Sequence, residues 1–170
     1  MRDLILYIAT SLDGYIAGKS GEIDWLFYDQ DYGYKDFIQD VDTVIMGRRT
    51  YQQILKFGDY PYNTYQSFVF SRTLKEPVDD NIKIISTDLV NFILDLKAKE
   101  GKNIWLIGGS KIIEPLIQNG LIDKYIISIH PLILGDGILL FSMKSKQINL
   151  KLEKCESFDS GLVQLTYRKK

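Results

Sequence analysis

A single cysteine, Cys155, and a single histidine, His130, remove most metal and nucleophile chemistry from this chain of 170 residues. One cysteine allows no intramolecular disulfide and no Cys-x-x-Cys metal site. A Ser-His-Asp triad or a histidine-based zinc site would have to use His130. That residue sits in the apolar run Ile126-Ile127-Ser128-Ile129-His130-Pro131-Leu132-Ile133-Leu134 and reads as a strand histidine with a satisfied hydrogen bond. An excess of either charge is also lacking. Lys+Arg 21 against Asp+Glu 22 gives a net charge of −1, so no basic face is implied and nucleic acid is not an expected partner. The basic end Arg168-Lys169-Lys170 reads as a solvated tail. No apolar run is long enough to cross a bilayer, and Met1-Arg2-Asp3 leads directly into a strand without a secretory apolar region. A cytoplasmic protein with no membrane partner is expected. Internal repeats, low-complexity segments and linkers are missing too.

What remains is the composition of a soluble globular protein, 45% hydrophobic and 25% charged. The length suits one domain over 1–170 with a sizeable core. The stretch Asn103-Ile104-Trp105-Leu106-Ile107-Gly108-Gly109-Ser110-Lys111-Ile112-Ile113 organises it. It reads as a buried parallel strand, a Gly-Gly turn and a helix start. Without Cβ atoms the glycines let another group lie against the backbone. The helix aims its free N–H groups and positive dipole end at the turn, a geometry that favours a phosphate.

Leu4 to Ala9 is an apolar, β-prone run and the expected first central strand. The loop Thr10-Ser11-Leu12-Asp13-Gly14-Tyr15-Ile16-Ala17-Gly18 leaves its carboxyl end, where ligands bind in open α/β sheets. Asp24-Trp25-Leu26-Phe27 closes that loop with two aromatics as an anchor. Helical spacing of Tyr34, Phe37, Ile38 and Val41 predicts a helix from about 32 to 40. Thr43 to Met46 is a second strand, and Gly47-Arg48-Arg49-Thr50 leads into a helix ending near Phe57. Ser67 to Ser71 and Ile82 to Ser86 are further strands, and Arg72 follows the first of them. Thr87-Asp88 caps a helix over Leu89 to Glu100, stopped by Gly101. The helix Lys111 to Asn119 contains Pro115, which predicts a kink or a displaced start. A long strand spans Asp123 to Leu134. Ile148 to Phe158 and Leu162 to Arg168 form a terminal hairpin around Asp159-Ser160-Gly161. This order implies an α/β fold with a mostly parallel sheet, helices on both faces and an antiparallel edge.

Three strand ends carry the candidate chemistry: Ala9-Thr10-Ser11, Gly47-Arg48-Arg49-Thr50 and Gly108-Gly109-Ser110. If they adjoin, two helix starts meet phosphates from two sides, with the Thr50 and Ser110 hydroxyls as donors. Arg48, Arg49 and Arg72 can hold a terminal phosphate through bidentate hydrogen bonds. Positive charge at a helix N-terminus is locally unfavourable, and such local conflict often marks a functional site.

These motifs resemble the dihydrofolate reductase fold family. Val44-Ile45-Met46-Gly47-Arg48-Arg49-Thr50-Tyr51 is similar to its strand-then-Gly-Arg-x-Thr segment, and Ile107-Gly108-Gly109-Ser110 to its second glycine motif. Trp25 resembles the tryptophan beyond its mobile loop. The closer likeness is to the reductase domain of the bacterial bifunctional riboflavin-biosynthesis deaminase-reductase. Ala9-Thr10-Ser11-Leu12-Asp13-Gly14-Tyr15-Ile16-Ala17 and Pro131-Leu132-Ile133-Leu134-Gly135-Asp136-Gly137 carry it, across nearly the whole chain. The resemblance implies the three-layer dihydrofolate reductase-like fold, a cis Gly108–Gly109 peptide and NADPH as cofactor. It places that cofactor along Ala9, Ile16, Gly47, Arg48, Arg49, Thr50, Ser71, Arg72, Ile107, Gly108, Gly109, Ser110, Lys111 and Ile112. It also implies hydride transfer to a C=N or C=O bond of a small heterocycle and a homodimer. The reaction would be reduction of 5-amino-6-(5-phosphoribosylamino)uracil, with dihydrofolate reduction and a non-catalytic nucleotide-binding module as the alternatives. No zinc deaminase motif is present in this one-cysteine chain, so only the reductase half carries over. For the acid, Asp13 lies on the loop over the nicotinamide, and counting back from Gly47 places Asp31 or Asp36 near the position a folate reductase needs.

Overall fold

Among the described residues, 1–141 and 147–170 of the computed structural model, eight strands form one sheet in the order β5-β4-β3-β6-β1-β7-β10-β9. The strands are β1 (Leu4–Ser11), β3 (Val41–Gly47), β4 (Gln66–Phe70), β5 (Ile82–Ile85), β6 (Asn103–Gly108), β7 (Lys124–His130), β9 (Leu150–Ser157) and β10 (Val163–Lys169). The N-terminal strand thus lies inside the sheet, between β6 and β7, parallel to both. From β5 to β7 every pairing is parallel, and β10 alone runs against its neighbours. Leu6 pairs with Leu106, and Leu106 with Ile45, so three fully buried side chains share one register row. Each such side chain contributes about 1.5–3 kcal/mol by leaving water.

Two apolar cores follow from the two faces. Helices α3 (Leu89–Ala98) and α4 (Ser110–Gln118) press Ile93, Leu96, Ile113 and Leu116 on Leu4, Leu6, Ile104 and Leu106. Helices α1 (Tyr34–Gln39) and α2 (Arg48–Ile54) cover the other face, where Tyr51, Phe37 and Ile38 meet Val44, Met46 and Trp105. Asp88 caps α3 as expected, accepting from the N–H groups of Val90 and Asn91.

Several boundaries move for physical reasons. α1 begins at Tyr34 rather than about 32, because Tyr32 and Gly33 take positive φ of 51° and 78°. β7 ends at His130, one residue before Pro131, instead of running to Leu134. α4 starts at Ser110 and runs through Pro115, so its start is not displaced. The chain end is not a solvated tail: Arg168 lies in β10 and pairs with Asp3 and Glu153. Two short strands were not expected, β2 (Tyr15–Ala17) and β8 (Ile138–Leu139), which pair antiparallel. The outer edge of β9 carries Lys151, Glu153, Lys154 and Glu156, and its ladder with β10 slips between Thr166 and Tyr167. Charges and bulges of this kind oppose edge-to-edge addition of a second copy. No helix among the described residues is long and apolar enough to cross a membrane.

Candidate functional site

A strand flanked by neighbours on both sides and helices on both faces should be buried throughout. β1 departs from that rule. Leu4, Ile5 and Leu6 are buried, but Tyr7, Ile8 and Ala9 are only half-buried. Ile107 and Gly47, towards the carboxyl ends of β6 and β3, are half-buried as well. A cleft therefore opens over the carboxyl ends of the central strands.

Two helices begin at this cleft, and the fold sets their starts against each other. A Cβ on Gly47 would stand 3.8 Å from Gly109 N, 3.9 Å from Gly108 O and 3.6 Å from Ile112 Cγ2. A Cβ on Gly109 would stand 3.4 Å from the Thr50 hydroxyl oxygen, and one on Gly108 3.5 Å from Ile8 Cδ1. Glycine at 47, 108 and 109 thus leaves a shallow backbone-lined gap, just wide enough for a methyl, over the carboxyl ends of the paired strands β3 and β6. The Gly108–Gly109 peptide is cis. Neither α2, N-capped by Gly47, nor α4, N-capped by Gly109, has a side-chain cap or an acid in its first turn. α3, away from the cleft, has its Asp88 cap. The chain leaves the donors open only where the two turns meet, and open N–H groups at a helix start suit an anion.

The arginines follow the same division. Arg2 is bound to Asp42 and Arg168 to Asp3 and Glu153. Among the described residues Arg48, Arg49, Arg72 and Lys111 enter no ion pair, and all four are exposed. Arg48 and Arg49 open α2, Lys111 lies in the first turn of α4, and Arg72 follows β4, which pairs with β3 up to Gly47 and Phe70. Of the remaining sequence-level residues, Ser110 begins α4 and the side chain of Ile112 backs the gap. Ala9 pairs with Ser128, and Ile16 lies in β2 against the α4-side core. The Ser71 hydroxyl is engaged in its own turn, accepting from the N–H groups of Thr73 and Leu74 at 3.2 and 2.9 Å. A dinucleotide fits this donor set: glycine backbone for the diphosphate, hydroxyls at Thr50 and Ser110, and free guanidinium groups for a further phosphate.

The three acids are not brought together. Asp13 ties the first loop to the segment after β7. Its carboxylate accepts from the Ser11 hydroxyl at 2.6 Å, from Gly135 N–H at 2.8 Å and from Leu134 N–H at 3.1 Å. The Ser11 hydroxyl, then those N–H groups, holds the carboxyl below its ordinary value. With the β2–β8 pair, this makes the loop a braced flap, and an acid held ionised is a poor proton donor. Asp31 accepts from Lys35 N–H at 3.1 Å at the start of α1, and Asp36 lies in that helix's first turn; both are exposed.

Sequence reasoning missed the wall on the α1 side. Tyr7, Tyr34, Phe37, Tyr62 and Trp105 form a chain of edge and tilted ring contacts, Tyr7–Phe37 at 4.7 Å and Tyr62–Trp105 at 5.3 Å. Burial pushes the Tyr34 phenol up to about 12. Beneath Tyr7 lies a polar knot: its hydroxyl donates to Tyr32 O at 3.1 Å, and Gln164 Nε2 lies 3.2 Å from Tyr7 Oη and 3.0 Å from Ser128 Oγ. Burial, opposed by the Gln164 hydrogen bond and aided by the charge of Asp31, raises the Tyr7 pKa. The sequence holds no signal for it: Gln164 falls in the polar register of the alternating run Val163-Gln164-Leu165-Thr166, and only the structure shows that this register is the buried one.

His130 is the structural residue expected of it. It is 3% exposed, its Nε2 accepts from Phe27 N–H at 3.2 Å, and Nδ1 lies 3.3 Å from Ser128 O. Its ring packs on Trp25 and Phe27 at 5.1 and 4.9 Å, anchoring the aromatic end of the first loop. Trp25 Nε1 is a buried donor without a partner among the described residues, a group that a ligand or ordered water would satisfy. Burial pushes the His130 pKa below 6.5. The native state therefore binds fewer protons than the unfolded chain, and stability falls as pH drops through the unfolded value of 6.5 towards the lower folded one. One such group contributes a slope of at most about 1.4 kcal/mol per pH unit. Thermal melts at about pH 7.5 and 5.5 should show a smaller acid destabilisation in His130→Gln than in the wild type.

Residues 2–164 match the family model described as the RibD C-terminal domain. Two Bacillus subtilis (strain 168) proteins are similar over almost their whole lengths. The uncharacterized protein YyaP is 37% identical over 178 residues, covering 98% of this chain and 94% of its own. The uncharacterized protein YwjB is 38% identical over 170 residues, covering 98% and 97%. A crystal structure of a Shewanella sp. PV-4 protein assigned to riboflavin biosynthesis is 36% identical, with a TM-score of 0.88 over 99% of both chains. The Thermotoga maritima diaminohydroxyphosphoribosylaminopyrimidine deaminase/5-amino-6-(5-phosphoribosylamino)uracil reductase shares the fold. It has a TM-score of 0.75 at 19% identity, over 99% of this chain and 57% of that one.

Proposed function

The chain belongs to the RibD C-terminal domain family, a reductase family, and on that footing we propose that it is an NADPH-dependent reductase of a small heterocycle. The observation that carries this reading is the pair of uncapped helix starts facing each other across Gly47 and Gly109, ringed by arginines without acidic partners. When bound, NADPH supplies the hydride. The chain's residues hold and orient it. The diphosphate lies over the bare backbone at Gly47 and Gly109, the Thr50 and Ser110 hydroxyls donate to it, and Arg48, Arg49 or Arg72 takes the 2′-phosphate. Ala9, Ile16 and Gly108 border the place for the nicotinamide, and the braced flap from Leu12 to Gly18 keeps water from it.

The acceptor is the C=N or C=O group of a small heterocycle, for which the aminopyrimidine ring named for the Thermotoga enzyme is the model. Asp31 is the acid proposed to stand by it, since its carboxylate sits at the start of α1, accepting from Lys35 N–H, and its charge acts on Tyr7. The same acid favours dihydrofolate as a second substrate. NADPH oxidation with each compound separates the two, and oxidation of neither, with NADPH bound, would leave a nucleotide-binding module. Arg48→Ala should weaken NADPH about tenfold, the loss of about one charge-assisted contact, and leave NADH nearly unaffected. Equal losses for the two cofactors would contradict the 2′-phosphate role. Calorimetric titration reads both values.

A further inference from the structure

The segments that supply the two sides of the cleft differ in charge. On the helix-start side, segments 47–50, 71–73 and 109–111 hold Arg48, Arg49, Arg72 and Lys111 and no acid. On the α1 side, segments 28–37, 58–65 and 158–164 hold Asp29, Asp31, Asp36, Asp59 and Asp159 against Lys35 alone. These acidic segments deliver the wall itself. Tyr34 and Phe37 come from the first, Tyr62 from the second, and Gln164 from the third. A cofactor carrying phosphates is drawn to one side, and a phosphate on the other side meets repulsion.

The wall has its own shape and polarity. Tyr7 and Tyr34, half-exposed with ring centroids 6.5 Å apart, offer aromatic surface over a floor made by Trp105. At its base Gln164 Nε2 lies within reach of Tyr7 Oη at 3.2 Å, Tyr32 O at 3.1 Å and Ser128 Oγ at 3.0 Å. The two amide hydrogens serve Tyr7 Oη and Ser128 Oγ, while Tyr32 O accepts from the Tyr7 hydroxyl at 3.1 Å, so the knot is satisfied within the fold and holds the Tyr7 ring. Gln164 and Ser128 are 7% and 6% exposed, so the knot is a buried support that fixes the Tyr7 ring rather than a surface cluster.

We infer that the hydride acceptor is a flat, unphosphorylated ring, neutral or cationic, laid against Tyr7 and Tyr34. This rests on the reductase reading and narrows it, because it departs from the phosphorylated pyrimidine in the Thermotoga enzyme's name. The acids on segments 28–37 and 158–164 do the excluding, and the aromatic wall does the selecting.

Riboflavin and FMN test it, since they share one flat ring system and differ by a phosphate. The full chain, saturated with NADP+, is titrated with each by calorimetry. Riboflavin should bind at least about tenfold more tightly than FMN, the effect of repulsion across a partly solvated cleft. The gap should narrow at about 0.5 M salt and in the Asp31→Asn/Asp36→Asn double variant, which keeps an acceptor at both positions. FMN binding as tightly as riboflavin, or neither flavin binding while NADP+ does, overturns the inference. A preliminary NADP+ titration isolates failure of the reductase reading, because that titration does not involve the α1 wall.

Discussion

Gly47→Ala should lower NADPH affinity about 100-fold, or about 2.7 kcal/mol, while the protein folds as before. Gly47 has φ −82° and ψ 161°, extended backbone that alanine adopts freely. The added methyl would find its nearest neighbours at 3.6 to 3.9 Å, ordinary contact distances. The backbone-entropy gain of about 0.4–1 kcal/mol from Gly→Ala opposes the loss of glycine at an N-cap, so net stability should change by less than about 1 kcal/mol. Yet the methyl stands between the starts of α2 and α4. A diphosphate bonded to the open N–H groups of both helices has to rest on the bare backbone that the methyl would cover. Titration of the variant beside a thermal melt reads the two effects separately. Unchanged affinity would mean that the cofactor does not pass between the glycine turns.

Leu106→Ala should destabilise the protein by about 3–4 kcal/mol, within the range for large-to-small changes in a core that cannot collapse. Leu106 is fully buried, paired with Leu6 on one side and Ile45 on the other, and packed beneath α4. For a chain of this size the melting temperature should fall by roughly 6–16 °C. The same row positions Gly108, two residues on, so the variant also tests how stability and site are linked. NADPH at about 100 times its dissociation constant should return about 2.7 kcal/mol by mass action. Urea melts of the variant with and without NADPH measure both quantities. A loss below about 1 kcal/mol would show that the cavity fills by relaxation.

The apolar strands were legible because their signal is local. Leu4 to Leu6, Val44 to Met46 and Ile104 to Leu106 are unbroken hydrophobic runs, and all lie where a sheet covered on both faces puts them. The same holds for the glycine turns at 47 and 108–109, whose helix starts the structure sets side by side. Strand order was not legible, since nothing local says that β1 lies between β6 and β7. β2 and β8 escaped notice because each spans only two or three residues and finds its partner more than a hundred residues away. In sequence Asp13 reads as an acid on the loop over the nicotinamide. Its actual partners, Leu134 and Gly135, are as remote. The α1-side wall was hidden for the same reason: Tyr7, Ser128 and Gln164 each look unremarkable in sequence, and only the β1-β7-β10 adjacency assembles them.

The central claim is that the cleft between Gly47 and Gly109 binds NADPH. Quenching of tryptophan fluorescence in the wild-type chain by NADPH and by NADH tests it most directly. NADPH should saturate with a dissociation constant below about 0.1 mM, and NADH should bind at least about tenfold more weakly. Absence of saturable quenching by either cofactor at millimolar concentration would contradict the account.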